Sequence, residues 1–88
     1  MEKASKKVEN GKLVKAELSY SDKIDDIKIH GDFFIEPPEA LEEIMEKLTG
    51  LKAEREILIE NIESVDAELI GFSAEDLADV IMEVVNND

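Results

Sequence analysis

The stretch Val14-Lys15-Ala16-Glu17-Leu18-Ser19-Tyr20, Ser21-Asp22-Lys23, Ile24-Asp25-Asp26-Ile27-Lys28-Ile29-His30 decides the fold. In its first part Val14, Ala16, Leu18 and Tyr20 alternate with Lys15, Glu17 and Ser19, the period of two that gives a strand one buried face. Ser21-Asp22-Lys23 carries turn chemistry, and the alternation resumes with Ile27 and Ile29 against Asp26, Lys28 and His30. The pair reads as a β-hairpin.

On the C-terminal side of the hairpin, Gly31 interrupts and Asp32-Phe33-Phe34-Ile35-Glu36 resumes a strand-like run before Pro37-Pro38. A glycine inside a strand pattern signals a bulge or bend, so a short third strand is expected. Neighbours on a strand point to opposite faces; one of Phe33 and Phe34 then meets a helix layer and the other a bend or a partner, unless a bulge lets both fill the core. Pro38 suits the first position of a helix in which Leu41, Ile44, Met45 and Leu48 form one stripe, early glutamates suit its dipole, and Gly50 ends it. Leu58, Ile62 and Val65 fit a second helix over 53–65, although Ile57 and Ile59 leave a strand open. Residues 66–71 read as a connector whose Leu69 and Ile70 anchor in the core.

Ser73 is an N-cap candidate, with Asp76 in the capping-box position and Phe72 and Leu77 placed as a hydrophobic staple. Leu77, Val80, Ile81 and Val84 carry this third helix to about Val85, fraying into Asn86-Asn87-Asp88. Upstream of the hairpin, polar and lysine-rich residues 1–10 read as a flexible lead-in to a single domain over 11–88. Strands come first and helices after. The expected class is α+β: a small antiparallel sheet of about three strands with about three helices packed on one face.

Eighty-eight residues form one domain and bury about 60–65% of the unfolded surface, too little for a deep pocket of the chain's own. No apolar run approaches the ~20 residues of a membrane span, and the first residues have no signal-peptide core, so a cytoplasmic protein is expected. With no cysteine there is no disulfide framework and no thiolate chemistry. The net charge of −13 argues against nucleic acid, which is gripped through lysine and arginine clusters. Residues 1–28 hold seven lysines against six acids, and 29–88 three basic residues against seventeen acids; the second part is a solvated acidic surface or one complementary to a basic partner.

Groups able to do chemistry are few. There is one histidine, His30, with no second histidine to make a metal pair. Glu42-Glu43-Glu46 and Asp25-Asp26 lack calcium-loop spacing, and four scattered glycines form no phosphate loop. No catalytic, cofactor-binding or metal residue is therefore expected in this chain.

The run Gly11-Lys12-Leu13-Val14-Lys15, a hairpin, Ile27-Lys28-Ile29-His30-Gly31-Asp32-Phe33-Phe34, and a proline-led helix closed by Leu48-Thr49-Gly50 resembles the accessory domain of lipoate-protein ligases. Gly31-Asp32-Phe33-Phe34 is its most specific part; Gly71-Phe72-Ser73 and the last helix extend it more weakly. In that family the domain follows the catalytic domain or, in bipartite archaeal-type ligases, is a separate chain, and a chain starting at Met1 with this domain alone resembles the second kind. The resemblance implies a heterodimer with a catalytic large subunit. That subunit would hold lipoate, ATP with Mg and the acceptor lysine, while the small one supports lipoyl-adenylate formation more than lipoyl transfer. Asp32, Phe33 and Phe34 are the candidate contact residues, with Lys15, Lys28 and His30 a second set on the exposed sheet face. The alternatives are a lipoyl or biotinyl carrier modified at Lys23, in the hairpin turn, and a generic acidic protein-interaction module. The carrier reading requires an all-β fold, which residues 38–49 and 73–85 oppose.

Overall fold

The computed structural model describes residues 2–7 and 13–86, and of the first six the backbone only. Gly11 and Lys12, where the resemblance begins, and Asn87 and Asp88, in the expected fray, lie outside them.

Three strands form the main sheet: β1 (Glu2–Lys7), β2 (Leu13–Tyr20) and β3 (Ile24–Gly31), antiparallel in the order β1-β2-β3. The hairpin is as expected. Ala16 stands opposite Ile29 and Leu18 opposite Ile27, all four buried, so the alternating apolar sets meet on one face. A register shift at Ser19/Tyr20 takes the pairing from Ser19–Asp26 to Tyr20–Ile24, passing over Asp25. That extra residue lets Ile24 and Ile27, three apart, both face the core, and leaves Tyr20, expected inside, 39% exposed at the strand end.

The expected lead-in is corrected. Residues 2–7 pair with β2 from Glu2–Leu18 to Lys7–Leu13, making β1 the third strand of this sheet. The segment expected to supply that strand leaves the sheet: β4 (Phe34–Glu36) pairs antiparallel with β5 (Glu68–Ile70) in a separate ribbon. β5 lies inside what reads in the sequence as a connector.

Helix α1 (Ala40–Leu48) buries Ala40, Ile44 and Leu48 at i, i+4 and i+8. It starts two residues later than the proline signal suggests, because Pro37 and Pro38 accept turn bonds from the amides of Ala40 and Leu41 at 2.9 and 3.3 Å. At its end Gly50 takes a φ of 88°, the left-handed stop expected there. The Gly50 amide donates to the Ile24 carbonyl at 2.7 Å, and the Ile24 amide to the Leu51 carbonyl at 2.9 Å, tying the helix exit to the start of β3. Helix α2 (Arg55–Glu63) buries Leu58 and Ile62, with Ile57 and Ile59 half-buried beside them, which settles the helix-or-strand question.

Helix α3 (Ala74–Val85) has the expected cap. The Ser73 hydroxyl accepts from the Asp76 amide at 3.1 Å, and the Ser73 amide donates to the Asp76 carboxylate at 3.0 Å. Phe72 and Leu77, the staple pair, are both buried. Its wide stripe of Ala74, Leu77, Ala78, Val80, Ile81 and Val84 packs on β1 and β2, while α1 packs on β3 and α2 lies against both helices. One face of the sheet is covered and the other is open: Lys15, Lys28 and His30 on it are exposed. Among the described residues no polar or charged side chain is buried. The core is aliphatic, with Phe72 its aromatic member.

Candidate functional site

The site is built from Gly31 onward. The Asp32 amide donates to the Leu13 carbonyl at 2.8 Å, pinning the chain to the first residue of β2 as it leaves β3. A Cβ at Gly31 would collide with that same carbonyl oxygen. Glycine is therefore required by close backbone approach. Asp32 is exposed in the bend that follows.

Phe33 turns inward. Its ring lies 4.4 Å from that of Phe72, centroid to centroid, at 42°, a close tilted contact at the short edge of the spacing that aromatic pairs favour. Of the expected contact residues it is thus the one committed to the fold, half-buried against the entry of α3.

Alternation sorts the ribbon. Ile35 is buried and its partner Leu69 is half-buried, whereas Phe34, Glu36, Glu68 and Ile70 are exposed. Register puts Phe34 opposite Ile70 and Glu36 opposite Glu68. The outer face of the ribbon is thus an apolar pair, 67% and 39% exposed, next to an acidic pair. Ile70, expected in the core, is corrected by this alternation: once Leu69 points in, Ile70 points out. Alongside lies an open groove of about 240 Å³ lined by Phe33, Phe34, Ile35, Glu36, Pro38 and Leu41. The sequence does not single out Glu36, Glu68 and Ile70; the signal it carries for them is the apolar pair Leu69-Ile70 between Glu68 and Gly71.

The second set also comes together, on the open face of the main sheet, where Lys15 stands opposite His30 and Glu17 opposite Lys28. The chain's one arginine is engaged elsewhere: Arg55 Nε donates to Asp79 Oδ1 at 2.7 Å, joining α2 to α3 at the surface. That hydrogen bond, with the charge of Asp79, raises the guanidinium above its already high value. Among the described residues no group of three or more histidines, aspartates or glutamates could hold a metal ion. Lys23 is exposed in the turn between β2 and β3, but the three helices depart from the all-β fold that a carrier requires.

These features define a small α+β domain whose distinctive surfaces offer contact: an apolar and acidic ribbon, and a mixed-charge sheet face. The family model described as bacterial lipoate protein ligase C-terminus matches residues 2–81, and the chain belongs to that family. Among solved structures its fold is similar to a chain from an archaeal lipoylation system of Thermoplasma acidophilum, described as a bi-partite lipoate protein ligase and its E2 lipoyl domain. The identity is 23%, the match covers 90% of this chain and 91% of that one, and the TM-score is 0.75. No curated protein matches the chain.

Proposed function

We propose that this chain is the non-catalytic accessory subunit of a bipartite lipoate-protein ligase, acting in the cytoplasm as a heterodimer with a catalytic large subunit. The observation that carries the reading is membership of the ligase C-terminal family over residues 2–81. The end-to-end fold likeness to a chain of a bi-partite ligase supports a separate subunit. In this reading lipoate and ATP with Mg bind to the large subunit, and this chain supplies no catalytic group.

Its contribution is conformational. An accessory chain raises the rate of lipoyl-adenylate formation by binding the adenylation-competent arrangement of its partner better than the others, or by closing the partner's site against water. A tenfold rise in the competent population needs only about 1.4 kcal/mol of differential affinity, well within reach of a modest interface. Phe34 and Asp32, exposed at the bend and ribbon, are the proposed contacts, and Lys15, Lys28 and His30 offer a second surface.

The test is lipoate-dependent pyrophosphate release by the cognate catalytic chain with ATP, with and without this protein. Release that depends on this chain supports the reading. Release unaffected by it, together with a lipoyl mass gain on Lys23, overturns it in favour of a carrier.

A further inference from the structure

We infer that the outer face of the β4–β5 ribbon seats a segment of the catalytic chain carrying an apolar side chain beside an arginine or lysine. The inference rests on the accessory-subunit reading and specifies the chemistry of its contact.

Phe34 and Ile70 are directly opposed on the ribbon and both exposed, so they form one continuous apolar surface. The groove beside them, about 240 Å³ and open to solvent, is smaller than the ~300–1,000 Å³ of small-molecule sites. It fits an inserted side chain better than a bound cofactor.

The acidic pair gives the partner its sign. Glu36 and Glu68 stand directly opposite each other, an arrangement that weakens a strand pair. No described lysine or arginine is paired with either carboxylate. A cation placed between them turns the repulsion into two attractions. Arginine suits the position best, since its planar fork reaches two carboxylates while its face stacks on the neighbouring Phe34 ring. A second copy of this chain, with its net charge of −13, is the poorer occupant.

Strand geometry sets the spacing. Residues two apart on a strand are ~6.5–7 Å apart, so the partner's apolar and cationic groups must be separated by about that distance. Positions i and i+2 of an extended segment meet this, as do i and i+4 of a helix.

The experiment is a binding titration of the full catalytic chain against wild type, Phe34→Ala, the double variant Glu36→Gln/Glu68→Gln, and the charge-matched control Glu60→Gln/Glu63→Gln on α2. Each is run at low and high salt, with thermal unfolding of every variant. Phe34→Ala is expected to weaken binding about tenfold or more. The ribbon double variant is expected to weaken it by about tenfold and to flatten its salt dependence, with an unchanged or higher melting temperature. The α2 control should bind as wild type does. Wild-type binding that Phe34→Ala and the ribbon double variant both leave intact overturns the inference while sparing the accessory-subunit reading. So does a loss shared equally by the α2 control, or self-association abolished by Phe34→Ala. A wild-type chain that neither binds the catalytic chain nor affects its pyrophosphate release overturns both.

Discussion

At Gly31 one absent carbon permits the bend that carries the chain from the sheet into the ribbon, because the space a Cβ would occupy is held by the Leu13 carbonyl. Gly31→Ala is expected to destabilise the fold by about 2–4 kcal/mol, read from denaturant unfolding; an unchanged midpoint would mean that the two backbones separate at little cost. The two adjacent phenylalanines divide between the core and the surface, Phe33 half-buried and Phe34 exposed. Phe72→Ala, which removes the ring beneath Phe33, should cost about 3–5 kcal/mol, whereas Phe34→Ala should change stability by no more than about 0.5 kcal/mol. Alternation in the sequence separates Phe33 from Phe34 without saying which goes inside. That choice depends on a tertiary contact with Phe72, thirty-nine residues away, and no local pattern carries it.

Elements with strong local signals were legible. The α3 cap could be read from Ser73 and Asp76 alone, because both partners lie within one helical turn; Ser73→Ala should remove about 1 kcal/mol, checked by thermal unfolding, and a cost near zero would show the cap to be dispensable. The hairpin and the α1 stripe were legible through their periods of two and 3.6. Strand β1 was not, since Glu2-Lys3-Ala4-Ser5-Lys6-Lys7 has a single apolar residue and its strand conformation comes from pairing with β2. Strand β5 is three residues long, too short for alternation to stand out, and its partner β4 is distant in sequence. The ribbon is also what places Ile70 beside Phe34 and Glu68 beside Glu36, so neither pairing is visible in the sequence alone. The Arg55–Asp79 pair lies at the surface, its side chains 48% and 36% exposed, where solvent screens an ion pair.

For the whole molecule the net charge of −13 on 88 residues is the dominant electrostatic fact. Self-repulsion opposes the compact state and is screened by salt, so the melting temperature of the isolated chain should rise as ionic strength increases from about 0.02 to 0.3 M. A falling melting temperature would mean that attractive surface pairs outweigh repulsion. The charges are unevenly placed: the domain presents an acidic pair beside an apolar pair on the ribbon, and lysines with a histidine on the open face of its sheet. The buried core is aliphatic apart from Phe72. The central claim, that this chain promotes the formation of lipoyl-adenylate by a catalytic partner, is tested most directly by measuring the two half-reactions separately, each with and without the chain. Pyrophosphate release from lipoate and ATP should depend strongly on it, while transfer from preformed lipoyl-adenylate to an acceptor domain should change little; equal dependence of both, or of neither, would contradict the account.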